Sequence, residues 1–172
     1  LRAARGRTRL LGICFGHQVM AHAFGGEVEK SNRGWGVGLH RYDIRSDEPW
    51  MHPRARTLSI PVSHQDQVVT APPDARVIAS SGFTPYAGLA WGEDAISFQC
   101  HPEFQPEYAA ALVESRRGHR IADAVADEAV ASLARPNDRP VLTAWIRAFL
   151  LLTPTAMITA ADTTRPAWRT FT

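Results

Sequence analysis

One of the two cysteines in this 172-residue chain stands in Gly12-Ile13-Cys14-Phe15-Gly16, between an apolar run and a segment with helical spacing. The pattern G-x-C-x-G is the thiol counterpart of a nucleophile elbow, in which a strand turns sharply into a helix and holds a reactive side chain at the bend. Small residues at 12 and 16 let such a turn close, and a side chain at either place is expected to crowd it. At the first turn of a helix the sulfur would face the positive end of the helix dipole. The Phe15 N–H, which has no intrahelical carbonyl to meet, could then donate to an oxyanion. Taken alone the pattern has a second reading, a small buried thiol in a strand-to-helix turn.

A nucleophile needs a base, and the candidate lies in Phe98-Gln99-Cys100-His101-Pro102-Glu103-Phe104. His101 and Glu103 are two apart, so extended backbone places them on one side, with Pro102 stiffening the chain between. The carboxylate can then accept from one ring nitrogen while the other faces a thiol. Alone, His-Pro-Glu also describes a strand-end histidine beside a surface carboxylate; the two motifs together favour a nucleophile and its base. Cys100 neighbours His101 and is expected to point to the opposite face in a structural role, without a disulfide to Cys14.

Other chemistries fit less well. His17 and His22 are five apart and do not stack on one helical face, and the chain has no C-x-x-C or H-E-x-x-H, so no metal site is expected. Ser63 and His64 are adjacent and face apart in a strand, which argues against a serine triad in "SHQD". That segment reads instead as a loop lining a pocket, with Gln65 and Asp66 offering polar groups. Trp35 and Trp91 read as core or rim aromatics.

The elements that must position these residues follow from periodicity. Residues 9–13 are strand-like, 17–24 helical, and Gly25-Gly26 stops the helix. Strand-like runs recur through residue 101, divided by "PPD" and "GFTP", and three helical stretches follow from Pro106, over 106–113, 121–133 and 141–152. Residues 153–172 lack periodicity and are read as a disordered or loosely docked tail. Hydrophobic residues make up 45% and charged residues 21%, with a formal charge of +2, which is ordinary globular composition and too little charge to imply a nucleic-acid partner. The Arg2, Arg5, Arg7 and Arg9 cluster reads as a solvated helix end. Two cysteines make no disulfide framework and no apolar run is long enough for a membrane span, so a reducing cytoplasm is the expected compartment.

Taken together and in this order, "GICFGHQ", "SHQDQV" and "QCHPEF" resemble the class I glutamine amidotransferases, and "GWGVGL" resembles the branch of GMP-synthase-type amidotransferases and plant γ-glutamyl peptidases. The resemblance implies a flavodoxin-like α/β three-layer sandwich with a mixed, mainly parallel sheet. It divides the chain into a core over 1–105, helices over 106–152 packing on it, and the tail. It implies Cys14 as nucleophile, His101 as general base and acid, and Glu103 as its orienter. Phe15 would supply an oxyanion N–H, Gln18 would help hold the substrate glutamine, and Ser63, His64 and Gln65 would grip its amino-acid end. Glutamine or a γ-glutamyl compound would be the substrate and a synthetase subunit the acceptor of the ammonia, with no cofactor required. In the family several strands and a glycine-containing loop with a second oxyanion donor precede the elbow. They are expected to be missing here, which would make the chain a fragment. A γ-glutamyl hydrolase or peptidase, or a catalytically impaired binding module, are the alternatives.

Overall fold

A computed structural model describes residues 1–152; the tail read as disordered, 153–172, lies outside the described residues. After a 3-10 turn at Arg2–Ala4 come β1 (Leu10–Ile13), α1 (Phe15–Ala23), β2 (Glu27–Lys30), β3 (Gly36–Ile44), β4 (Thr57–His64) and β5 (Asp66–Thr70). They are followed by β6 (Arg76–Ser80), β7 (Gly88–Trp91), β8 (Ala95–Phe98), α2 (Pro106–Glu114), α3 (Asp123–Leu133) and α4 (Arg139–Leu151).

Six strands form one sheet in the order β1-β8-β7-β6-β3-β4, and β2 pairs with β5 in a separate ribbon. β1 runs parallel to β8, whereas the other ladders of the large sheet are antiparallel. The sheet is mixed, as the resemblance implies, but over these residues its balance is antiparallel rather than mainly parallel. The connections explain this: β6, β7 and β8 follow one another without a crossover helix, and such links return the chain antiparallel. Among the described residues β1 has a single ladder partner and stands at the sheet edge.

Strand alternation sorts the core into two faces. Ile96 and Phe98 of β8 pack with Leu11 and Ile13 of β1 and with Trp145 and Phe149 of α4. Ala95 faces the other way, into a cluster with Leu89, Trp91 and Met20 and Ala21 of α1. The sheet is thus a middle layer, with α1 on one side and α4 on the other. Trp145 and Phe149 are fully buried, and each meets Trp50 edge-on; rings of this kind contribute about 1.5–3 kcal/mol each on burial. Toward the far side of the sheet α3 lies directly on β3. Gly38 has φ +87°, and a Cβ there would stand 2.8 Å from Ala129 Cα, so the close approach requires glycine.

The N-terminal arginines do more than solvate a helix end. Arg5 forks Asp94 with two 2.9 Å bonds, and Arg9 donates to the Leu152 carbonyl at 2.9 Å while lying over the Phe149 ring. They tie the segment before β1 to the β7–β8 turn and to the end of α4. Among the described residues no helix is long and apolar enough to cross a membrane.

Candidate active site

The elbow is built as its sequence suggests. Cys14 N–H donates to the Phe98 carbonyl at 2.8 Å, extending the β1–β8 ladder past the strand, and the Cys14 carbonyl accepts from Gln18 N–H at 3.1 Å as α1 begins. One residue ends a strand and starts a helix, which leaves Cys14 at φ 48° and ψ −102°. Among the described residues it is the one non-glycine at positive φ, a conformation costing about 1–3 kcal/mol that persists only where the surroundings hold it. The amide of Phe15, one residue on, precedes the first intrahelical bond and has no helix carbonyl to serve. The Phe15 ring is 74% exposed, so it is the backbone of this residue that can serve the site.

The two elbow glycines are not equivalent. A Cβ at Gly12 would lie 2.6 Å from both the Gly16 carbonyl oxygen and Met20 Sδ, whereas nothing stands within 4 Å of a Cβ at Gly16. The expected crowding therefore falls on Gly12 alone. Gly12→Ala should lower stability by about 1–3 kcal/mol through overpacking, and Gly16→Ala should stay within about 0.5 kcal/mol of the parent. Urea melts of the two variants check this, and equal losses would contradict it.

His101 and Glu103 meet by a different path from the one expected. They lie beyond β8 in a turn closed by Phe104 N–H donating to the His101 carbonyl at 3.2 Å, not in extended chain. The turn brings Glu103 Oε1 to 2.7 Å from His101 Nδ1. The ring is fixed on other sides as well. The backbone N–H of His101 donates to the Pro61 carbonyl of β4 at 2.9 Å, and the Phe104 ring stacks on the imidazole at 3.9 Å and 8°. Arg139, at the start of α4, clamps the turn by donating to the Pro102 carbonyl at 2.8 Å and to Gln105 Oε1 at 2.9 Å.

His101 Nε2 is buried with no partner at hydrogen-bond distance, and the Cys14 side chain is a near neighbour of the ring. Burial alone would lower the histidine pKa, but the thiol and the Glu103 carboxylate more than offset this and raise it to about 9. Burial acts on Glu103 in the opposite sense and is likewise outweighed. His101 and, more weakly, Arg139 hold its carboxyl below the usual range.

Gln18 occupies a place the sequence did not suggest. Its Nε2 donates to the Asp66 carbonyl at 2.7 Å and to Gln99 Oε1 at 3.2 Å. With its oxygen so engaged, Gln99 turns its amide Nε2 to Cys14 Sγ at 3.6 Å. Gln99 is fully buried, and its polarity marks it: along the otherwise apolar stretch 95–100, Ser97 and then Gln99 are the polar residues on the α1 side. Ser97 accounts for His17, whose Nδ1 lies 2.7 Å from its Oγ. Burial, reinforced by His64, holds His17 neutral at a pKa of about 3.

The "SHQD" segment is strand rather than loop, since β4 runs through His64 and β5 begins at Asp66. Ser63 and His64 do face apart. The Ser63 carbonyl oxygen lies 4.0 Å from Cys14 Sγ, and the Ser63 Oγ accepts from Arg116 at 2.6 Å. His64 turns into the core against Phe83, 3% exposed, and burial lowers its pKa to about 4. Gln65 links the two strands, and its carbonyl accepts from Ser31 N–H at 2.8 Å. The structure thus brings Cys14, Phe15 N–H, His101, Glu103, Gln18 and the Ser63 backbone together, and leaves the His64 side chain behind the site. Cys100 is a buried core thiol whose pKa burial drives up. Among the described residues no group of three or more His, Cys, Asp or Glu is placed to hold a metal.

A strained cysteine thus stands at a strand-to-helix bend of an α/β sheet, near a histidine held by a carboxylate. The chain belongs to the class-I glutamine amidotransferase family, which matches residues 1–116. It is 32% identical over 118 residues to γ-glutamyl peptidase 2 of Arabidopsis thaliana, covering 67% of this chain and 47% of that protein. It is 35% identical over 98 residues to one subunit of the glutamine-hydrolyzing GMP synthase of Saccharolobus solfataricus, covering 56% of this chain and 52% of that protein. The chain therefore spans about half the length of these curated relatives. In fold it is similar to a crystal structure of a glutamine amidotransferase from Thermotoga maritima, with a TM-score of 0.67 at 20% identity over 83% of this chain and 62% of that one. A second, from Methylobacillus flagellatus, gives 0.66 at 24% identity over 87% and 63%.

Proposed function

We propose that the chain is a glutamine amidotransferase-type hydrolase that cleaves a γ-glutamyl amide through Cys14, His101 and Glu103. The observation that carries this is the pairing of an elbow cysteine with a histidine whose other ring nitrogen is held by a carboxylate at 2.7 Å. With its proton held on the His101 ring, the Cys14 sulfur attacks the side-chain amide carbon, and the oxyanion that forms accepts from the Phe15 N–H, a donor of a kind worth about 10²–10³ in rate. His101, in its acid form at neutral pH, gives its proton to the departing nitrogen, which leaves as ammonia. Water then attacks the γ-glutamyl thioester as the ring takes a proton from it, glutamate leaves, and the sulfur is regenerated. The free thiol suits a reducing cytoplasm, and a synthetase subunit is a fitting recipient of the ammonia.

A second substrate reading, a γ-glutamyl peptidase, is favoured by the similarity to a protein of that name over 67% of the chain. L-Glutamine and a γ-glutamyl dipeptide, offered separately, decide between them. Ammonia from glutamine supports the glutaminase, and release of the amino acid from the dipeptide alone supports the peptidase. Cleavage of neither contradicts both.

In either reading Gln99 positions the sulfur. Gln99→Leu removes the amide that faces Cys14 and one acceptor of Gln18, and should lower kcat about tenfold or more with KM little changed, as loss of a hydrogen bond to a charged group would. Steady-state kinetics with a parallel thermal melt check this; unchanged kcat in a folded variant would contradict it.

A further inference from the structure

Arg116 and Arg117 are adjacent and have opposite surroundings. Arg117 is neutralised, with Glu114 at 2.6 Å and Asp127 at 2.8 Å. Arg116 has no carboxylate partner among the described residues. It is half-buried, donates one Nη1–H to Ser63 Oγ at 2.6 Å, and lies over the Trp35 ring at 4.9 Å. Its backbone is fixed too, since the Arg116 carbonyl accepts from His119, Arg120 and Ile121 at 3.0–3.3 Å. A planar cation held this firmly, with most of its N–H donors unspent, is built to receive a carboxylate in its fork.

Its distance from the nucleophile suggests which carboxylate. Cys14 Sγ is 4.0 Å from the Ser63 carbonyl oxygen, and Arg116 Nη1 is 2.6 Å from the Oγ of the same serine. Adding the serine's own span puts the guanidinium within about 10–11 Å of the sulfur. A γ-glutamyl chain with its amide carbon about 3–3.5 Å from the sulfur carries its α-carboxylate oxygens roughly 9 Å out along an extended chain. The guanidinium and this carboxylate are therefore within reach of one another.

We propose that Arg116, seated on Trp35 and Ser63, binds the α-carboxylate of the substrate, so that the site selects γ-glutamyl compounds whose α-carboxylate is free. The inference rests on the hydrolase reading above for its substrate, and its test reads binding rather than turnover. Cys14 is alkylated with iodoacetamide and followed on its own peptide by mass spectrometry, with buried Cys100 as internal control. The concentration of L-glutamine or L-glutamate that halves the rate is measured in the parent, Arg116→Gln and Arg116→Lys.

That concentration should rise about 10- to 100-fold in Arg116→Gln, the loss of a charge-assisted pair, and less in Arg116→Lys, which keeps the charge but not the fork. The α-carboxamide derivative of glutamine should protect weakly, and equally in parent and Arg116→Gln. Unchanged protection by glutamine in Arg116→Gln, a parallel loss for both ligands, or no protection of the parent would overturn the inference. Arg116-dependent protection without cleavage of either L-glutamine or a γ-glutamyl dipeptide would instead sink the hydrolase reading, and cleavage indifferent to Arg116 would sink only this one.

Discussion

Cys14→Ala should reduce hydrolysis of γ-glutamyl amides by about 10⁴-fold or more, because it removes the atom that forms the thioester in the proposed mechanism while the fold loses only a sulfur. The substitution leaves the strained backbone at φ 48° in place, so the variant should melt near the parent temperature and the loss should appear in kcat. His101→Ala should cost a comparable amount, since in the proposed mechanism the proton that leaves with the nitrogen comes from its ring. The informative variant is the double one. If sulfur and imidazole act as a unit, Cys14→Ala/His101→Ala should be scarcely worse than either single change. Losses that multiply would show that the two act separately, and a Cys14→Ala enzyme of parental rate would show that the sulfur is not the nucleophile.

Glu103→Gln should move the pH dependence as well as the rate. His101 is raised to about 9 because the Cys14 thiol and Glu103 outweigh the effect of burial. Its acid form, the proposed proton donor to the leaving nitrogen, is therefore present through neutrality and lost as pH rises through about 9. Activity should fall along that limb. Replacing the carboxylate by an amide removes one of the two raising groups, so the alkaline limb of kcat/KM should shift to lower pH, with kcat at neutral pH reduced about 10²-fold. A profile that keeps its alkaline limb at the parental pH would show that Glu103 does not set the charge of the ring.

Much of the site was legible in the chain. Gly12 and Cys14 announced the elbow, because only glycine admits the Gly16 carbonyl and Met20 sulfur against it, and His101 and Glu103 were close enough in sequence to meet in any compact conformation. What was not legible depended on tertiary contacts. The His-Pro-Glu segment turns because Pro61 and Arg139 grip it, and neither is near it in sequence. "SHQD" is strand because β3 offers His64 and Ser63 a register opposite Gly36 and Val37. Arg116 could not be told from Arg117 within "SRRGHR" until their partners were known. Gln99 carried a local signal, a polar side chain on the α1 face of an apolar run, but its role depends on Gln18 and Cys14, which are distant in sequence. The antiparallel balance of the sheet follows from how the connections between β6, β7 and β8 return the chain, which alternating strand patterns do not specify.

The proposed mechanism requires a covalent γ-glutamyl group carried by Cys14. Mixing the protein with L-glutamine or a γ-glutamyl dipeptide, quenching in acid within the first turnovers and mapping the peptides by mass spectrometry looks for it directly. The predicted result is one γ-glutamyl group on the peptide bearing Cys14, absent from Cys14→Ala and never on Cys100. Substrate cleavage with Cys14 unmodified at every quench time, or the group on another residue, would contradict it.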